Sequence, residues 1–132
     1  MNRFALVAGS IRAVSGLSFL VAPERAQRVW SSRPAVDPTT RLLLRSMGYR
    51  DALVGAGLIT AALRDPDAVP RWFLASAGAD LADLIGGLAV RDELSERDHV
   101  MGIGGAALGI AIGVVGAVTS RRAIRQGSAG PD

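Results

Sequence analysis

Residues Gly48–Gly55 have the sequence GYRDALVG, in which an Arg-Asp pair lies inside an otherwise apolar segment of membrane-spanning length. A charge at the centre of a bilayer costs about 2.5–3.5 kcal/mol on the insertion scale, so Arg50 and Asp51 require partners on other helices. Other apolar segments of the chain carry suitable partners. We therefore predict one buried charge cluster of five residues: Arg12, Arg50, Asp51, Asp80 and Asp83.

The apolar residues fall into four blocks of membrane-spanning length, separated by short polar loops: residues 4–22, 44–63, 71–90 and 100–119. A soluble helical bundle is the alternative, but it would show a polar face within each helix. A signal peptide is disfavoured by an Arg inside the first block and by the lack of an Ala-x-Ala site after it. We predict an all-α fold, a four-transmembrane-helix bundle. One domain covers residues 1–125, and residues 126–132 form a disordered tail.

The composition favours close helix packing in lipid. Nearly half of the residues are apolar but only 5% are aromatic, and 16 of the 132 are Gly. Small residues let helix backbones approach each other, whereas a soluble core relies on large side chains. The absence of Cys excludes disulfides and thiol redox chemistry. The 15 basic residues are all Arg and are spread over loops and ends, which predicts a lipid bilayer as the partner and no nucleic acid.

The loops carry helix-boundary signals. Residues 23–30 are predicted to form a short interfacial helix between the first two spans, with Ala26, Val29 and Trp30 on one face; an ordinary turn is the alternative. Residues 33–36 are predicted to be a linker. Asp37 followed by Pro indicates the start of a long helix that ends at residue 63. Ser95 and the Asp three residues later form a capping box before the fourth block.

The depth of each charged residue predicts which residues pair. With antiparallel spans and a rise of about 1.5 Å per residue, Arg50 and Asp83 lie about 9–10 Å from the same membrane face, and Arg12 and Asp80 about 15 Å. Arg50 is therefore predicted to pair with Asp83, and Arg12 with Asp80, leaving Asp51 as a surplus acid. Two Arg against three Asp leave one negative charge, which favours a proton, a cation or a cationic ligand. The alternative, which we favour, is that the pairs only hold the helices in register.

Asp80 and Asp83 are three residues apart and share a helix face, so they could also bind a divalent metal that bridges a phosphate group. Two neighbouring Arg residues would repel such an ion. We therefore predict no metal. The sequence also contains neither a Ser/His/Asp set nor a Gly-rich phosphate loop, so we predict no cofactor.

A stripe of glycines follows the fourth block at a spacing of four residues: Gly105, Gly109 and Gly113. Such a stripe forms a flat groove along a helix and permits close backbone contact. The contact could be made within the chain or with a second copy, so a homo-oligomer is one expectation.

Two motifs, IRAVSG at Ile11–Gly16 and GYRDALVGAG at Gly48–Gly57, precede an acidic third block. In these features the chain resembles the small four-helix bacterial membrane proteins grouped as DoxX-like, together with actinobacterial membrane proteins of unknown function. The resemblance implies a four-helix bundle with buried Arg and Asp. It also implies an accessory role, because some DoxX-like proteins are described as partners of respiratory or redox enzymes.

We predict a multi-pass cell-membrane protein without enzymatic activity, acting as a structural or accessory subunit or as a self-associating bundle in a larger membrane complex. A small proton- or cation-coupled transporter is the main alternative, although the first-span Glu of small drug-efflux proteins is absent. A membrane enzyme acting on a lipid or quinone is a third. The arginines are divided almost equally between the two ends of the bundle, so the positive-inside rule does not set its orientation.

Overall fold

A computed structural model describes residues 1–31 and 37–128, and within these ranges the chain is helical without strands, which confirms the all-α prediction. The helices are α1 (Arg3–Val21), α2 (Pro23–Trp30), α3 (Pro38–Arg64), α4 (Val69–Ala89), the single turn α5 (Glu96–Asp98) and α6 (Gly105–Ser128). A π-helical turn, His99–Gly104, connects α5 to α6.

Side-chain caps set where the helices begin. Asp37 accepts hydrogen bonds from the backbone amides of Thr39 and Thr40, at 2.9 and 3.0 Å, and Pro38 occupies the first helical position of α3. The Thr40 hydroxyl and these amides hold the pKa of Asp37 below its ordinary value. Ser95 likewise accepts from the amide of Asp98. These hydrogen bonds confirm both predicted N-caps. Each cap side chain accepts from backbone amides that have no partner within the helix.

Several predicted boundaries change. Residues 23–30 do form a helix, but Val29 is mostly exposed, and the buried positions are Pro23, Ala26 and Gln27. At the other end of the chain, α6 continues through residue 128, so residues 126–128 of the predicted tail are helical. The predicted linker at 33–36 and residues 129–132 lie outside the described ranges.

Helices α1 and α3 pack backbone to backbone through four glycines, two on each helix: Gly9, Gly16, Gly48 and Gly55. A Cβ added at Gly55 would lie 2.5 Å from the Ala13 nitrogen and 2.7 Å from the Gly9 carbonyl oxygen. A Cβ at Gly48 would lie 2.7 Å from the Gly16 carbonyl oxygen. The two glycines of each helix are seven residues, or two turns, apart, so they lie on one face. This contact positions Arg12 on α1 beside Asp51 on α3.

Helices α4 and α6 form the second packed pair, and the apolar core lies between the two pairs at one end. Phe73, Leu58 and Val69 are its largest fully buried side chains. The Phe4 ring stacks on Phe73 with centroids 5.4 Å apart, and Asn2 donates a 3.0 Å hydrogen bond to Ser120. The ends of α1 and α6 are thereby joined.

Helix α2 contacts α3 and the turn α5 at the opposite end of the molecule. Arg97 donates a 2.9 Å hydrogen bond to the Val29 carbonyl, and Arg41 forms a 2.6 Å ion pair with Glu24. The Trp30 ring lies 6.4 Å from that of Phe19. Helix α2 therefore covers the ends of α1, α3 and the turn before α6.

Three helical stretches are long and apolar enough to cross a membrane: Arg3–Val21, Pro66–Ala89 and Glu96–Gly127. They cover three of the four predicted spans. The fourth, residues 44–63, lies inside α3 but is less apolar, because Arg50 and Asp51 lower its hydropathy. Large apolar side chains on these helices point outward, among them Val7, Ile11, Val14, Leu53, Leu81, Ile85, Leu108 and Val115. Such an outer surface suits lipid better than water.

Candidate functional site

The structure brings the five predicted cluster residues together as an alternating row of acids and bases. The order is Asp80, Arg12, Asp51, Arg50, Asp83, and each neighbouring pair is in ion-pair contact. Arg12 comes from α1, Arg50 and Asp51 from α3, and the two remaining acids from α4. We refer to these five residues as the charge network. It connects three helices, α1, α3 and α4.

The Arg12 end of the charge network is the more buried one. Arg12 makes a two-pronged contact with Asp80, with N–O distances of 2.8 and 2.9 Å, and donates a 2.8 Å hydrogen bond to the Ser76 hydroxyl. The side chains of Arg12 and Asp80 are only 14% and 12% exposed. A planar guanidinium matches a carboxylate in this geometry, which gives directional as well as electrostatic stabilisation.

The Arg50 end is more open. Arg50 contacts both carboxylate oxygens of Asp83, at 2.8 and 2.7 Å, and these side chains are 32% and 38% exposed. Both ends therefore have the partners that residue depth predicts. A rise of 1.5 Å per residue sets depth along a helix regardless of how the helix is rotated.

Asp51 differs from the prediction, because it is not a surplus acid outside the pairs. Its Oδ1 atom accepts hydrogen bonds from Arg12 Nη2 at 3.0 Å and from Arg50 Nε at 3.1 Å. Asp51 is therefore the link that joins the two pairs into one row. The Arg50 side chain is long enough for its Nε atom to reach the carboxylate of the next residue, Asp51.

The three glycines predicted to pack along α6 have different surroundings. Gly113 does pack closely: a Cβ there would lie 2.8 Å from Ala77 Cβ and from the Phe73 carbonyl oxygen of α4. A Cβ at Gly109 would lie 2.6 Å from the Asp80 Cγ, so this glycine leaves room for the carboxylate. Gly105 is not part of a close contact, because the nearest atom to its Cβ position is in Trp30, at 3.9 Å. The close contacts of Gly109 and Gly113 are made within the chain.

Replacing Gly109 with alanine is expected to destabilise the protein by about 1–3 kcal/mol, the usual cost of overpacking a filled interior. The added methyl would push Asp80 off Arg12. Gly104→Ala is the matched control, because its Cβ would meet nothing within 4 Å. Thermal unfolding in detergent, followed by circular dichroism, measures both. Equal melting temperatures for the two variants would show that Gly109 does not position Asp80.

A cleft of about 420 Å³ lies beside the open end of the charge network. Its lining residues come from the first half of α3 and from α4: Thr40, Leu43, Leu44, Ser46, Met47, Arg50 and Asp83. The sequence pattern does not predict this cleft. It lies beside α3 where Asp83 of α4 approaches, a placement that no local sequence pattern encodes.

The chemistry of the network is that of charge pairing. Asp80 and Asp83, the candidate metal ligands, each direct both oxygens at a guanidinium group instead. Within the described residues, no three His, Cys, Asp or Glu side chains form a group that could hold a metal ion. The five residues together carry a formal charge of −1, from two Arg and three Asp.

The chain is similar in sequence to a known protein family. No curated protein and no solved structure is significantly similar to the chain. The family described as "Domain of unknown function (DUF4267)" matches residues 9–119, a region that contains the whole charge network and the glycines between α1 and α3. Since that match covers most of its length, the chain belongs to the DUF4267 family.

Proposed function

We propose that this protein is an integral membrane protein of the cell membrane in which α1, α3, α4 and α6 all cross the bilayer as a four-helix bundle. The three apolar stretches support spans for α1, α4 and α6. For α3, the support is the pairing of its charges with Arg12 of α1 and with Asp83 of α4. Buried charges that are paired and hydrogen-bonded are tolerated within a membrane, whereas unpaired ones are not.

We further propose a structural or accessory role without enzymatic activity. The observation that carries this proposal is that the five charges are used by one another, through bonds between α1, α3 and α4. Such a network specifies how helices assemble. The lipid bilayer is the first partner, and a second copy or a larger membrane complex is the next. The resemblance to DoxX-like proteins, some of which accompany redox enzymes, supports the same role.

Single-cysteine labelling tests the four-span arrangement, and the natural absence of Cys makes the chain well suited to it. Cysteine is placed in turn at Arg28, Asp67 and Asp92, which lie before α3, between α3 and α4, and between α4 and α6. A membrane-impermeant maleimide is then added to intact cells and to inverted vesicles. Four spans place Arg28 and Asp92 on one side and Asp67 on the other.

The position of Arg28 is the decisive result. If α3 lies on the membrane surface, Arg28 and Asp67 are labelled from the same side, and the four-span proposal fails. A chain that is recovered from the soluble fraction without detergent contradicts the membrane proposal altogether.

A cation-coupled transporter is the second candidate, and the formal −1 charge of the network favours it. A transporter needs an acid that exchanges between protein and water. The accessory role instead requires that purified protein carry no cation flux. A measurement of pH-gradient-driven cation flux in proteoliposomes distinguishes the transporter from the accessory role. Flux that Asp51→Asn abolishes would establish transport and overturn the accessory role.

A further inference from the structure

The cleft beside Arg50 and Asp83 is an open groove with a volume that suits a small molecule. Its volume, about 420 Å³, lies within the usual range of about 300–1,000 Å³ for such sites. Leu43, Leu44 and Met47 form an apolar wall, and the Arg50–Asp83 pair lies at one side. An occupant must therefore match both an apolar surface and a charged one.

The net charge of the network determines which sign of charge an occupant should carry. The row of charges has an acid at each end, and the two arginines leave one negative charge unbalanced. At the inner end, both oxygens of Asp80 accept from Arg12, and Gly109 lies against the carboxylate. At the outer end, Asp83 borders the cleft and is 38% exposed. Asp83 is the most exposed of the three acids, so a cation reaches the network most readily beside it.

An anion would be poorly placed in the same cleft. The guanidinium of Arg50 already directs Nη1 and Nη2 at Asp83 and Nε at Asp51. An incoming phosphate or carboxylate would compete with Asp51 and Asp83 for the Arg50 guanidinium. It would also add negative charge to a site that is already negative. A positive group instead completes the alternation of charges along the row.

We propose that this cleft binds an amphipathic cation, namely an amine or quaternary ammonium group attached to an alkyl chain. The cationic group pairs with Asp83, and the alkyl chain lies against Leu43, Leu44 and Met47. The apolar wall accommodates the alkyl chain, and the carboxylate selects the charge. This inference goes beyond the proposed accessory role, which needs no ligand.

The test uses the full-length protein in nanodiscs of zwitterionic phosphatidylcholine, titrated with dodecyltrimethylammonium in a calorimeter. Empty nanodiscs give the blank, and dodecyl sulfate is the probe of opposite charge. The expected result is saturable binding of the cation and no saturable binding of the sulfate. Added salt is expected to weaken the cation binding, because screening reduces the attraction of a partly exposed carboxylate.

Two tryptophan variants locate the binding without touching the charge network. Met47→Trp fills the cleft and is expected to abolish saturable binding. Leu42→Trp adds the same ring at an exposed position of α3 outside the lining and is expected to bind as the wild type does. Binding that persists in Met47→Trp, equal or tighter binding of dodecyl sulfate, or no saturable binding of the cation would each overturn the proposal.

Discussion

Replacing Arg12 with methionine is expected to destabilise the folded protein by about 3–5 kcal/mol, the usual cost of leaving a buried charge without its partner. Asp80 would lose both of its ion-pair contacts, and Asp51 would share Arg50 with Asp83. One arginine would then remain to balance three acids in a region of low dielectric constant. The stability is measured from unfolding by increasing sodium dodecyl sulfate in mixed micelles, followed by circular dichroism.

The same variant series tests the charge balance of the network. Asp80→Asn leaves two arginines and two acids, so it is expected to cost less than Arg12→Met. The double variant Arg12→Met, Asp80→Leu restores the wild-type net charge of the network and is expected to be more stable than Arg12→Met alone. Arg91→Met is the control, since Arg91 and Asp92 form an ion pair that is 62% and 92% exposed. If Arg12→Met is no less stable than this control, the network does not hold the fold.

Replacing Gly55 with alanine is expected to have the second large effect. The new Cβ would lie 2.5 Å from the Ala13 nitrogen and 2.8 Å from the Ala13 Cα. These atoms belong to the backbone, so the clash cannot be relieved by turning a side chain, and α1 must move away from α3. Overpacking costs about 1–3 kcal/mol, and we expect the upper part of that range. The separation would also lengthen the contact between Arg12 and Asp51.

Gly78→Ala on α4 is the matched control for this variant, because nothing lies within 4 Å of its Cβ position. Alanine favours a helix over glycine by up to about 1 kcal/mol, so the control is expected to be as stable as the wild type or more so. Melting temperatures in detergent compare the two. A Gly55→Ala protein as stable as Gly78→Ala would show that α1 and α3 do not need the close approach.

Two kinds of contact join the helices of this small chain. Helices α1 and α3 approach through glycines and gain dispersion contacts between backbones. The link from this pair to α4 is made partly by charge, through Arg12 and Arg50. The first contact should respond to side-chain size and the second to charge. The Gly55 and Arg12 variants separate these responses.

The sequence by itself determined the helical class, the N-caps at Asp37 and Ser95, and the membership of the charge network. These features depend on local chemistry or on distance along a helix axis. An N-cap involves amides two or three residues away, and an apolar block followed by a polar loop marks the extent of a helix. Depth follows from residue number alone, which is why matching depths predicted the partners of Arg12 and Arg50.

Only the tertiary structure decided how each helix is rotated about its axis and how close its neighbours lie. The glycines of α1 and α3 are spaced by seven residues, and the prediction gave the packing role to the spacing of four in α6. There, Gly109 accommodates Asp80 and Gly105 makes no close contact. The bridging position of Asp51 and the cleft beside Asp83 also depend on the relative placement of three helices. Such features arise from packing between segments that are distant in sequence. One glycine leaves room for a neighbouring backbone, whereas another leaves room for a carboxylate.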